Sequence, residues 1–336
     1  MPDGIYMTKE ESLILKGVAI LLMLFLHLFN NMTNVNLCTT FLSIGDIPLV
    51  HILTRAANPV SFFLILSGYG IYIVVKKNPN YNVLRKLRNL YIHYWISLAI
   101  FVGIGAWLVG TSRYPGSLYI VVENVTAWYT SWNGEIWFLF PYMLLALSAK
   151  WIFKVIDRVN PYFYFGTTLA ISLAMGFCIS RYGDAYFYHH QLAYMPILYF
   201  SLLFAFSIGA LMAKFSIVKK CKIGGGGKSL SLLILLVAFR CMFRTGAFHT
   251  FYVVAFIILF LNCKRAKFLD KFLLEMGRRS TSMWFVHTYF AYYIFHDFIY
   301  GFKYPLLIFV VLLGCSYASA LVMDGCYKRV LGMIKA

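Results

Sequence analysis

The sequence predicts an all-α polytopic membrane protein, on three observations. Of its 336 residues, 61% are hydrophobic and 12% charged, about half the charged share of a soluble domain. The apolar residues fall in blocks of roughly 14–20, close to what a hydrocarbon core of ~30 Å asks of a helix. The 30 Lys and Arg outnumber the 12 Asp and Glu, for a formal charge of +18. In a soluble protein that excess would point to nucleic acid; in a membrane protein the first question is which side it occupies. These numbers exclude an ordinary soluble enzyme, a secreted disulfide scaffold and a disordered chain.

In chain order, apolar helices are expected at about 13–29, 57–75, 90–110, 136–149, 162–180, 194–213, 229–243, 247–262, 280–299 and 304–323. The first is kept as a span: no small-residue cleavage site follows it, and Asn30-Asn31-Met32-Thr33 is unlike one. In the pair covering 229–262, Arg240 and Arg244 leave only a short turn, and the first member is short for the core. Topology supports keeping both. With the N-terminus in the cytoplasm, the outer segments hold Arg55, Arg113, Arg181, Arg240, Arg244 and Lys303, and the other 24 of the 30 cations fall inside. Nine spans would break this alternation after residue 229. The expectation is therefore ten spans, both termini cytoplasmic, in a multi-pass protein of the cell (plasma or inner) membrane. Residues 1–336 read as one integral-membrane domain, with no repeat and no separate soluble domain. The lipid bilayer is the expected surrounding, and no nucleic-acid partner is needed.

Several local patterns carry no chemistry on this reading. The seven cysteines are odd in number and contain no CxxC pair, so they read as small buried hydrophobes. Gly224-Gly225-Gly226-Gly227-Lys228-Ser229 lacks the first glycine of a phosphate loop, whose place is taken by Lys222, and reads as a cytoplasmic linker. His189-His190 lies in an aromatic outer loop without carboxylate or cysteine partners, so packing at the interface is favoured over a metal site, and no metal is expected.

Ionisable groups within spans are costly and therefore mark candidate sites. Lys16 and His27 are eleven residues apart on the first helix. At ~100° and ~1.5 Å per residue they share one face, ~16 Å apart along the axis. The plain alternative is a snorkelling lysine below and a capping histidine above. Arg85 and Arg88, three apart at the cytoplasmic start of the third span, share a face and form a guanidinium fork suited to phosphate; the alternative is a positive-inside anchor. Glu135 is a carboxylate at the outer end of the fourth helix, where it would orient His27, contact an acceptor or simply face water. His287 lies within the ninth span and reads by itself as a packing residue, and His93 and His51 carry less information still.

Taken together these segments resemble the membrane-bound acyltransferase family 3, integral-membrane O-acyltransferases that often acetylate surface polysaccharides. Leu13–His27 is similar to the family's first-helix motif of a basic residue, ten residues and a histidine, with Lys16 where many members carry Arg. That departure keeps the charge and loses the bidentate fork. Ser61–Tyr69 resembles the Phe-Phe-x-x-Ser-Gly signature, Arg85-x-x-Arg88 the double-arginine motif, and Ile136–Leu139 and Ser280–His287 the later Trp-Phe and Ser-to-His stretches. The resemblance implies transfer of an acyl group, most often acetyl from acetyl-CoA as co-substrate, from the cytoplasmic side to a hydroxyl of a cell-surface or lipid-linked glycan. It implies CoA contacts at Lys16, Arg85 and Arg88, with His27 as the catalytic base and Glu135 holding its tautomer. The chain has no room for the extracellular hydrolase-like domain of some members. A polysaccharide polymerase would ask for larger outer loops. A transporter would ask for inverted repeats and broken helices, and neither is visible.

Overall fold

The computed structural model describes residues 6–243, 246 and 248–335. Arg244 and the side chain of Lys335, counted above on the outer and inner sides, lie outside the described residues. Ten helices of fourteen residues or more organise the rest: α1 Lys9–Phe29, α2 Pro59–Lys77, α3 Val83–Leu108, α4 Leu139–Arg158, α5 Pro161–Tyr182, α6 Gln191–Lys214, α7 Gly226–Met242, α8 His249–Asn262, α9 Lys267–Thr288 and α10 Pro305–Lys335. Seven segments are long and apolar enough to cross a membrane: Lys9–Phe29, Leu49–Lys77, Val83–Leu108, Gly134–Arg158, Pro161–Tyr182, Gln191–Lys214 and Pro305–Met333. The chain is thus an all-α polytopic membrane protein. The sheet content among the described residues is one two-stranded hairpin, Ser43–Ile44 against Ile47–Pro48.

The helices at the expected positions 229–243, 247–262 and 280–299 are the ones that differ from simple spans. α7 has 17 residues and α8 has 14, short for a ~30 Å core. α9 begins at Lys267, thirteen residues before its apolar part, because the charged run Lys267–Arg279 is helical too. Apolarity locates where a helix enters lipid, whereas its backbone hydrogen bonds continue into water. The far end of that span is not one straight helix. Tyr289–Tyr293 forms a π turn, followed by the short helix His296–Tyr300. α3 likewise starts at Val83, capped by the Asn82 side chain, so that Arg85 and Arg88 lie within it.

Basic ends gather on one side of the bundle. Lys219 from the segment after α6 binds Glu11 of α1 at 2.9 Å, and Glu11 also completes a capping box with Thr8. Lys76 of α2 pairs with Asp157 of α4, and Lys214 of α6 donates to the Ile156 carbonyl at 2.8 Å.

Two pairs of glycine contacts set the helix crossings that position the site. A Cβ on Gly17 of α1 would lie 2.0 Å from the Leu273 carbonyl oxygen of α9, and one on Gly277 would lie 1.9 Å from that of Leu13. The same occurs between α2 and α6, where a Cβ on Gly68 would meet the Phe206 carbonyl oxygen at 1.9 Å and one on Gly209 that of Ile65 at 2.0 Å. Without a hydrophobic drive between helices in lipid, backbones that approach this closely gain the packing that holds them together. The glycine of the Ser67-Gly68 motif and the one beside Lys16 are thus packing residues.

Candidate active site

The α1–α9 crossing lays the face of α1 that carries Lys16 and His27 against the apolar half of α9. His27 meets His287 there, with ring centroids 5.1 Å apart. His287 is fully buried. Its Nδ1 is 2.8 Å from the Trp284 carbonyl oxygen, which can only accept, so Nδ1 carries the hydrogen and Nε2 holds the lone pair. That Nε2 is buried and has no hydrogen-bond partner. An orphaned acceptor in the interior is costly and marks a place where a proton or a donor belongs.

The π turn after α9 supplies the partner of the other imidazole. A π turn adds a residue to the helical cycle and re-aims the side chains beyond it, a device frequent at functional sites. Tyr292 from this turn donates its hydroxyl hydrogen to the His27 carbonyl oxygen, and its oxygen lies 3.4 Å from His27 Nδ1. Since that phenol donates elsewhere, Nδ1 of His27 is the donor and Nε2 is free to accept. Asn30 Oδ1, 3.3 Å away, also faces the phenol.

Glu135 sits in the 3₁₀ turn Gly134–Ile136 and accepts from Tyr293 at 2.7 Å, while Tyr293 accepts from the Gly134 N–H at 2.8 Å. Among the described contacts Glu135 does not touch His27. The two are joined through adjacent tyrosines of the π turn. Asn133, two residues before Glu135, is buried and works on α9 directly: its Oδ1 accepts from Thr288 at 2.7 Å and its Nδ2 donates to the Phe285 carbonyl at 3.4 Å. It ties the 3₁₀ turn to the two residues flanking Val286 and His287.

Lys16 faces a cavity of about 270 Å³ at the basic end. Lys86, Asn89 and His93 of α3 line it with Ser67, Tyr142, Arg278 and Asp324. Lys86 Nζ lies 5.6 Å from the centroid of the Tyr142 ring, and Ser67 donates to the Tyr142 hydroxyl at 3.2 Å. Asp324 is the carboxylate there. It binds Arg279, accepts from Ser282 at 2.9 Å and lies 3.6 Å from His93 Nε2. Phe138 and Trp284, 5.7 Å apart, close the cavity toward the imidazoles, and the Trp284 carbonyl holds His287. One aromatic layer therefore separates the cationic cavity from the histidine pair.

Arg85 and Arg88 are exposed and do not line this cavity. They stand outside, with the inward stripe of α3 running through Lys86, Asn89, Leu90 and His93. The helical spacing of those four was readable in the sequence but is overshadowed by the two arginines around it. The sequence reading also passed over Tyr292, Asn133 and Asp324, and took His287 as packing. Their partners lie across the bundle, and no local spacing signals them. Among the described residues, no three His, Cys, Asp or Glu converge as a metal ion would need, and all seven cysteines are free.

The site therefore defines a class before any comparison: a membrane-embedded imidazole pair next to a cationic cavity open at one end of the bundle. The family model described as an acyltransferase domain, acyltransferase family 3, matches residues 13–324, and the chain belongs to that family. The match runs from Leu13, which contacts Gly277, to Asp324 in the cavity. No curated protein and no solved structure gives a match.

Proposed function

We propose that this membrane acyltransferase moves an acyl group, acetyl in the first instance, from acyl-CoA on the cytoplasmic side to a hydroxyl of a cell-surface or lipid-linked glycan. The observation that carries the reading is the His27–His287 pair directly beyond the cavity of Lys16, Lys86 and Arg278. The basic end is the cytoplasmic one on this account, with ten spans across the cell membrane and both termini in the cytoplasm, following the bias of Lys and Arg.

Acyl-CoA is an anionic co-substrate. The exposed Arg85 and Arg88 meet its outer phosphates at the mouth, where guanidiniums bind phosphate in bidentate fashion. Lys86 and Lys16 lie along the way inward, so the thioester reaches the aromatic layer at Phe138 and Trp284. The acceptor hydroxyl approaches from the opposite end. His27 takes its proton at Nε2, as a neutral imidazole near pH 7 is suited to do. The oxygen attacks the thioester carbonyl carbon. The tetrahedral intermediate collapses with cleavage of the C–S bond, and CoA leaves as a thiolate that takes up the proton. The bare Nε2 of His287 accepts a hydrogen bond from the imidazolium formed in between, and Tyr292 fixes the tautomer of His27. Glu135 acts at one remove, by holding Tyr293 and with it the π turn.

The test is release of CoA from acetyl-CoA by the purified full-length protein in liposomes, with glycan and lipid extract as acceptor source. Acetylation of the extract detected by mass spectrometry is the expected result. A protein that binds acetyl-CoA yet never transfers acetyl would overturn the reading.

A further inference from the structure

A second cavity, of about 420 Å³, opens at the end of the bundle opposite the basic one. Asn30, His51, Arg55, Asn58, Arg240 and His249 supply most of its polar lining. Among the described residues no Asp or Glu lines it, and neither Arg55 nor Arg240 enters an ion pair.

The cations are held in place. Arg240 is only 6% exposed, near the end of α7. Its Nη1 donates to the Phe243 carbonyl at 2.5 Å, and its buried Nε–H has no partner. Arg55, at the end of the short helix Leu49–Thr54, donates to the Cys241 carbonyl at 3.0 Å. The two guanidiniums are thus anchored to adjacent parts of one helix end, with further N–H groups left over. His51 fixes its Nδ1 on the Phe29 carbonyl at 2.9 Å, which turns Nε2 away from that bond. A guanidinium buried in a membrane protein without a carboxylate is costly unless something anionic joins it.

The cavity adjoins the reaction centre. Asn30 lines it and also faces the Tyr292 hydroxyl that holds His27. Leu26, the residue before His27, lines it as well. A molecule seated on Arg55 and Arg240 therefore lies next to the catalytic imidazole, on the side away from the CoA cavity.

We infer that this cavity is the acceptor site and that the acceptor is an anionic saccharide, whose carboxylate or phosphate binds Arg55 and Arg240 while a neighbouring hydroxyl reaches His27. The inference rests on the acyltransferase reading above and adds the acceptor's chemical class to it.

The test is direct binding to the full-length protein in nanodiscs of neutral lipid. Three fluorescently labelled probes are used: a uronate-containing oligosaccharide, its carboxyl-reduced neutral counterpart and a phosphorylated oligosaccharide. The expected result is that one anionic probe binds at least ~10-fold more tightly than the neutral one, as a charge-assisted pair allows. Which of the two it is identifies the source of the charge. Arg240→Gln and Arg55→Gln should each remove that preference. Because buried Arg240 bears on folding, the partly exposed Arg55 is the second variant, and acetyl-CoA binding by both variants serves as the control. Equal binding of anionic and neutral probes, binding of neither anionic probe, or a preference retained in both variants overturns the inference. So does loss of the preference when phosphatidylglycerol is added to the discs, since a lipid headgroup would then own the site. If the anionic probe binds as expected but acetyl is never transferred, the acyltransferase reading fails and the anion site stands.

Discussion

The cavity below the imidazoles combines Lys16, Lys86 and Arg278 with the carboxylate of Asp324, whereas the cavity above combines Arg55 and Arg240 with none. In the lower one Asp324 offsets part of the charge and also ties α9, α10 and α3 together through Arg279, Ser282 and His93. That wall is held together by its own ion pairs and hydrogen bonds, as the proposed acyl-CoA site requires. In the upper one the guanidiniums are anchored by backbone carbonyl oxygens, which leaves their charge for the anionic acceptor proposed above. Cationic cavities at both ends of one bundle thus have different electrostatic tasks. The histidine pair lies where the two approaches meet.

The strongest way to break this picture is at the meeting point. His27→Ala should lower kcat by roughly 10²–10⁴, the usual contribution of a general base, with acetyl-CoA binding retained. Near-normal turnover would mean that the two cavities do not serve one centre at His27.

The crossing that aligns the cavities comes next. Gly277→Ala puts a methyl group against the Leu13 carbonyl and should cost about 1–3 kcal/mol of stability, read as a lower midpoint in thermal unfolding in detergent. Gly70→Ala, with nothing within 4 Å of its Cβ, should stay within about 0.5 kcal/mol. Equal effects at both positions would show that the α1–α9 contact is not a close backbone crossing.

A third test separates the cavities. Lys86→Gln should raise the KM for acetyl-CoA about 10-fold, as loss of a charge-assisted contact does, and leave the acceptor KM unchanged. A parallel rise in both constants would merge the cavities into one channel. The smallest effect is expected from Arg85→Gln combined with Arg88→Gln. These exposed charges should shift the acetyl-CoA KM by only about 3-fold, and less at high salt because screening reaches them. A salt-independent loss larger than that of Lys86→Gln would move the main phosphate contact out to the two arginines.

How legible all this was in the sequence depended on the range of the interaction. The helical segments followed from apolar blocks, because burial in lipid acts on every residue of a span, and seven of them are long and apolar enough to cross a membrane. The shared face of Lys16 and His27 followed from helical spacing within α1. The meeting of His27 with His287 did not, since it arises from the Gly17–Gly277 approach between helices some 260 residues apart in sequence. Glu135 drew notice as a carboxylate near a span, but its partner, Tyr293, sits on a π turn that breaks the period by which faces are read. Lys86 was hidden between two arginines whose spacing looked more like a phosphate fork. The short α7 and α8 stood out less as apolar blocks and were supported by the alternation of Lys and Arg, yet they frame the cavity above.

The central claim is that His27 and His287 act as one unit on a single proton. A double-mutant cycle on CoA release tests it most directly, with His27→Gln, His287→Gln and the double variant measured in liposomes while acetyl-CoA binding is followed separately. Residues acting as a unit lose nearly everything with the first substitution. The account predicts that each single variant falls at least ~100-fold and that the double variant falls no further than the worse single, with acetyl-CoA binding unchanged in all three. Independent, multiplying losses, or a His287→Gln protein with near-normal turnover, would contradict it.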